Sequence, residues 1–208
     1  MKPTPPTAAD FGPLIALFNT RRYAELESRV RALLLEHPHA PFAWQLLGGA
    51  LQMQGKDALA AFQKVASLSP QDAGAHFNLG VAFKSAGQPE QAAASYRRAV
   101  ALQARHVEAW SNLGGVLQDL GQPGEAVRCY RQALLLQPDA ADTHNSLGTA
   151  LKDLGQPDEA AACYRRAIQL KPGHAGAHYN LGNVFREQKR LEEAVACYRQ
   201  AVHLKPGF

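Results

Sequence analysis

The sequence has few cysteines, no CxxC pair and no long β-branched stretch, and each absence removes a class of protein. Cys129, Cys163 and Cys197 form an odd set, which argues against a disulfide framework or a structural zinc site. No segment reaches the roughly 18 consecutive apolar residues that a membrane span needs, so no membrane partner is expected. Residues 1–10 carry a lysine but no apolar core, so they do not form a secretory signal, and a cytoplasmic location is expected. Neither sign of charge dominates: 22 basic against 18 acidic residues leave +4, too small an excess to imply nucleic acid. G-x-S-x-G, P-loop and H-E-x-x-H signatures are all missing, so no catalytic residue, metal site or cofactor is expected and the chain is read as no enzyme.

What the chain does have is helix formers and a period. Alanine, leucine, arginine and glutamine dominate, which predicts an all-α fold. Gly80, Gly114, Gly148 and Gly182 each follow a leucine and stand 34 residues apart. Ala92, Ala126, Ala160 and Ala194 keep the same step, as do Tyr96, Tyr130, Tyr164 and Tyr198. Pro138, Pro172 and Pro206 close three of the units. A period of this length predicts stacked supersecondary units.

One copy explains the unit. Trp110, Leu113, Gly114 and Leu117 lie at i, i+3, i+4 and i+7, one face of a first helix. Gly121 can take the left-handed conformation that ends it, and Pro123 suits the start of a second helix. Ala126, Val127, Tyr130, Ala133 and Leu134 form that helix's apolar face, and Pro138 stops it. The glycine inside each first helix, at a cost of about 1 kcal/mol relative to alanine, is read as permitting close approach of the two helices.

These residues resemble the tetratricopeptide repeat. Trp44-Gln-Leu-Leu47-Gly48 and Trp110-Ser-Asn-Leu113-Gly114 are similar to its W-x2-L-G opening, and Ala126 with Tyr130 and a closing proline continue it. The resemblance implies a right-handed α-solenoid with first helices on its concave side. Six units are predicted over 7–40, 41–72, 73–106, 107–140, 141–174 and 175–208, behind a disordered tail at 1–6. The second is two residues short between Gly55 and Ala58, so its inter-helix turn should be tighter. The first is a degenerate cap: Leu14, Leu17, Leu26, Val30, Leu33 and Pro38 keep the register, and Gly12-Pro13 should delay its first helix. The last stops where a further helix would begin, so a following repeat or domain is expected, and self-association through that repeat's open apolar face.

Function is expected at outward positions of the first helices. Relative to the signature glycines, these supply Phe77, Asn78 and Lys84; Ser111 and Asn112; Asn145, Ser146, Thr149 and Lys152; and Tyr179, Asn180, Asn183 and Arg186. A carboxamide both donates and accepts, so a register of them can hold a peptide by its main chain whatever its side chains. Asn78, Asn112 and Asn180 resemble the asparagine ladder in the repeat region of O-linked N-acetylglucosamine transferases; Ser146 and Leu46 interrupt it. The competing reading is that each asparagine bonds locally. The leading expectation is a module that binds an extended peptide or partner helix, with Phe77 and Tyr179 as aromatic anchors. Residues 14–51 also resemble the opening of bacterial repeat regions that precede glycosyltransferase or sulfotransferase domains, which makes a substrate-recruiting arm the alternative, and a self-assembling scaffold a third.

Other candidates have plainer meanings. His76, His144 and His178 share a repeat position with Trp44 and Trp110 and are read as packing residues. The cysteines are read as small, partly buried helix residues, and Arg97, Arg98, Arg131, Arg165, Arg166 and Arg199 as a solvated convex stripe.

Overall fold

Proline at the first helical position and glycine just past the last turn punctuate the chain into helical pairs. In the computed structural model, which describes residues 8–207, the described residues form helices and connections, with no strand. The predicted tail at 1–6 lies outside them. The described chain divides into two compact units, at residues 8–104 and 105–207. The first holds α1 (Ala8–Asn19), α2 (Tyr23–Glu36), α3 (Pro41–Met53), α4 (Leu59–Leu68), α5 (Ala73–Ser85) and α6 (Pro89–Leu102). The second holds α7 (Val107–Asp119), α8 (Pro123–Leu136), α9 (Ala141–Asp153), α10 (Pro157–Leu170), α11 (Ala175–Glu187) and α12 (Leu191–Leu204). Within each unit a first helix packs on its second, and that second packs on the next first helix.

Local chemistry accounts for the punctuation. Pro41, Pro89, Pro123 and Pro157 open α3, α6, α8 and α10, where a missing N–H costs nothing. Asp72 accepts from the Gly74 amide at 2.8 Å, and His174 Nδ1 from the Ala177 amide at 3.1 Å, which satisfies orphan donors at two helix starts. Gly55, Gly87, Gly121 and Gly155 turn the chain with φ near 70°. At the same place in the first and last pairs stand Arg21 (φ 59°) and Lys189 (φ 60°), side chains in a conformation that favours glycine.

The core is organised by a glycine–aromatic contact. A Cβ on Gly148 would lie 2.6 Å from Tyr164 Cε1, and on Gly114 2.7 Å from Tyr130 Cε1; Gly80 with Tyr96, Gly182 with Tyr198 and Gly48 with Phe62 repeat the geometry. The second-helix ring therefore lies directly on the first-helix backbone. In the first pair Leu14 takes the glycine position and Val30 the aromatic one, and both are buried. Bulk has moved from the second helix to the first.

Two expectations are corrected. Gly12-Pro13 does not delay α1, which runs through both residues. Its apolar side holds it there: Leu14 and Leu17 are buried, and Phe11 meets Phe42 edge-on at 4.9 Å. The short second repeat does not make a tighter turn either. Its connection covers residues 54–58, where the next pair uses 86–88, and α4 starts a turn late. The missing residues include the helix-opening proline; Asp57, one residue before the N-cap Ala58, instead accepts from the Leu59 amide at 2.8 Å and so satisfies one orphan donor of the first turn.

Candidate functional site

The predicted residues fall on first helices of both units. In the first unit, α5 carries Phe77, Asn78 and Lys84. Phe77, an expected anchor, is half-buried, its ring 5.9 Å from that of Tyr96. Asn78 is half-buried beside it, and Lys84 is exposed in the last turn, where a cation suits the helix dipole.

In the second unit α7, α9 and α11 touch in series, so their outward side chains form one surface. Hydroxyls and carboxamides tie the helices together across it. Ser111 Oγ lies 3.3 Å from Thr143 Oγ1, linking α7 to α9. Asn180 Nδ2 donates to Asn145 Oδ1 at 3.0 Å, linking α11 to α9. That pair leaves the Asn145 amide hydrogens and the Asn180 carbonyl available, a complement to one peptide group. Asn112 is half-buried, and its carboxamide makes no hydrogen bond among the described residues.

The tyrosines that lie on the signature glycines also reach this surface. Tyr164 donates its hydroxyl to Thr149 Oγ1 at 3.3 Å, and Tyr198 to Asn183 Oδ1 at 2.9 Å. Tyr130 donates to Gln118 Oε1 at 2.8 Å. Burial pushes the Tyr130 phenol up to about 12, against a hydrogen bond with Ser146 that lowers it. Thr149, Asn183 and Gln118 thus hold core hydroxyls on their inner side. Tyr179 is exposed, its ring 5.8 Å from that of Tyr198.

One cation among the candidate residues, Lys152, is paired across the repeat step, a feature that reading one register at a time missed. Lys152 Nζ sits 3.1 Å from Glu187 Oε1, and Gln118 donates to Asp153 Oδ2 at 3.2 Å. Each bond joins the residue four places past one glycine to the acid five places past the next. The signal was present in the sequence as Asp119, Asp153 and Glu187, one repeat apart. Arg186 and Lys84 have no acidic partner among the described residues.

The histidines are more than packing residues. His76 Nε2 lies 3.1 Å from the Pro70 carbonyl, His144 Nε2 2.9 Å from that of Pro138, and His178 Nε2 3.1 Å from that of Pro172. Trp44 Nε1 donates to the Pro38 carbonyl at 2.9 Å. A carbonyl only accepts, so the imidazole nitrogen carries hydrogen, and Trp and His interchange because both present a ring N–H to the loop proline. No three His, Cys, Asp or Glu side chains are grouped for a metal among the described residues. Cys129 is buried, and burial pushes the Cys163 and Cys197 thiols up, the reverse of activation. Several arginines of the second helices are engaged: Arg131 with Glu159 at 3.3 Å, and Arg166 with Asp139 at 3.1 Å. No described helix is long and apolar enough to cross a membrane.

Known proteins carry the same architecture. MamA is 24% identical over 77% of this chain and 95% of its own, with a TM-score of 0.73. YrrB, described as a TPR protein with an unusual peptide-binding site, is 22% identical over 85% of this chain and 92% of its own, with a TM-score of 0.72. The C-terminal part of a repeat protein from Cytophaga hutchinsonii is 16% identical over 95% of this chain and 80% of its own, with a TM-score of 0.79. At such identities the likeness establishes the fold. No curated protein matches the sequence. The tetratricopeptide-repeat signature matches residues 54–104, 77–117 and 145–207, and a second signature of the same description matches 106–173. With matches that run from the second helical pair to the last, the chain belongs to the tetratricopeptide repeat family.

Proposed function

We propose that this chain is a protein-interaction module that holds an extended peptide or a partner helix along its first-helix surface and performs no chemistry of its own. The observation that carries this reading is the polar row on α7, α9 and α11. Half-buried Asn112 has an unspent carboxamide, and the Asn145–Asn180 pair leaves one donor and one acceptor facing outward. Half-buried amides of this kind gain from a main-chain partner because they already lie partly out of water. YrrB, which shares the fold, supplies a precedent for peptide binding in such a scaffold. On the second unit's surface specificity would come from Tyr179 and Arg186; Phe77 would play that part on the first unit's own surface. The likeness to the asparagine ladder of O-linked N-acetylglucosamine transferases rests on Asn78, Asn112 and Asn180. The structure adds Asn145 as the residue that takes Asn180's bond. The same surface would serve a substrate-recruiting arm of a larger enzyme equally well.

The test is retention of unstructured peptides from an immobilised library by the chain and by its Asn78→Ala/Asn112→Ala/Asn180→Ala variant. Loss of peptides by a variant with unchanged helicity supports capture on this surface. Equal retention by both proteins would remove these carboxamides from the binding site.

A further inference from the structure

The two residues missing from the second repeat leave a space behind. Gln88, Pro89, Glu90 and Gln91 stand between the turn glycine Gly87 and Ala92, whereas Lys56 and Asp57 alone stand between Gly55 and Ala58. A cavity of about 460 Å³ opens beside that shortened connection, a size that suits a small ligand or a large side chain. It lies within the first unit, where α3 and α5 both end. Ala58, Phe62 and Ala82, all buried, and the exposed Ala86 give it an apolar lining.

Its rim carries acceptors that are not spent. In the second unit, the residue four places past one signature glycine bonds to the acid five places past the next. Gln52 and Ser85 hold those two positions here; both line the cavity, and neither side chain makes a hydrogen bond among the described residues. Asp57 accepts from the Leu59 amide through Oδ1, which leaves Oδ2 unspent. Lys56 is the one cation of the lining, and Glu27 takes its ammonium at 2.7 Å. Lys84, next to Ser85 in α5, is not part of the lining. The C-termini of α3 and α5 add partial negative charge from two sides. Apolar walls that end in a carboxylate, a carboxamide oxygen and a hydroxyl match an arginine side chain. Its methylene stem suits the walls, and its flat guanidinium has donors enough for all three acceptors. We infer that this cavity takes an arginine side chain of the captured peptide, an inference that rests on the peptide-capture reading for its source.

The experiment is a backbone-amide NMR titration of the 208-residue chain with N-acetyl-arginine amide and with its lysine, leucine and glutamate counterparts. The expected result is saturable shifts at residues 52–58 and 82–86 with arginine, at a millimolar dissociation constant, weaker with lysine and absent with glutamate. Asp57→Asn keeps an acceptor for the Leu59 amide and should weaken arginine about threefold to fivefold. Insertion of Pro-Glu between Asp57 and Ala58 restores the length of the connection and should abolish the response. Should circular dichroism show that the insertion disturbs folding, Asp57→Asn decides alone. Shifts no larger with arginine than with leucine or glutamate overturn the inference, and so does an affinity that Asp57→Asn leaves unchanged. The peptide library separates the two readings. Retained peptides without an arginine response sink this inference and leave capture standing, whereas an arginine response without retained peptides upholds the site and removes capture by the carboxamide row.

Discussion

Replacing Gly148 by alanine tests the contact that organises each repeat. By helix propensity alone the substitution should stabilise α9 by about 1 kcal/mol. Packing opposes it. The new Cβ would stand 2.6 Å from Tyr164 Cε1, 2.9 Å from Cδ1 and 3.0 Å from Cζ, where carbon atoms prefer roughly 3.5–4.0 Å. The ring must therefore retreat by about 1 Å. Tyr164 is buried and its hydroxyl is bonded to Thr149, so it has no free direction. Overpacking of this kind costs about 1–3 kcal/mol, and a stretched hydroxyl bond about 1 more, so a net loss of about 1–3 kcal/mol is expected. Gly124→Ala is the control: this helical glycine in α8 has nothing within 4 Å of its would-be Cβ, and the change should be neutral or stabilising. Urea unfolding followed by far-UV circular dichroism measures both, with fits that allow the repeats to unfold separately. If Gly148→Ala matched or exceeded Gly124→Ala in stability, the close glycine–tyrosine contact would not be what selects glycine.

Two further perturbations follow from the first unit and the last pair. Lys189→Gly and Arg21→Gly relieve left-handed backbone at exposed side chains, and each should raise stability by about 0.5–1 kcal/mol net of unfolded-state entropy, read as a higher urea midpoint; a lower midpoint would mean these side chains support the turn. The Glu27 carboxyl is held at about 2, chiefly by the hydrogen bond from Lys56 Nζ at 2.7 Å, with burial opposing and Arg31 and Gln54 adding to it. A depressed carboxyl contributes stability above its ordinary 4.5 and loses it as the pH falls towards 2, so Glu27→Gln should weaken the chain at neutral pH and flatten the acid limb of its urea midpoints across that window. An acid limb unchanged by Glu27→Gln would assign the loss to other carboxylates.

How much of this was legible in the sequence depends on whether the deciding contact repeats. The helices, their order and the family were legible because glycine, alanine, tyrosine and proline recur at fixed steps, and each sits at a position with one physical demand. The demand itself was harder to read. Sequence spacing says that Gly148 and Tyr164 belong to one unit, but not that the ring lies on the glycine backbone. Leu14 and Val30 make the same point from the other side: the first pair looks degenerate letter by letter, yet it keeps both positions buried by exchanging which helix brings the bulk. The short second repeat misled for a related reason. Deletion of residues between Gly55 and Ala58 could shorten the turn or the helix, and the choice fell on the helix because the lost residues carried its proline start. At the candidate surface, the row of carboxamides was visible as a register, but its internal bonding was not. Asn145 to Asn180, Gln118 to Asp153 and Lys152 to Glu187 each cross from one repeat to the next, from one register position to another. A period aligns equivalent positions and is blind to bonds between inequivalent ones. Those bonds decide which amides and which cations of this chain remain available to the proposed partner, so on that surface the offsets between registers would matter as much as any register alone.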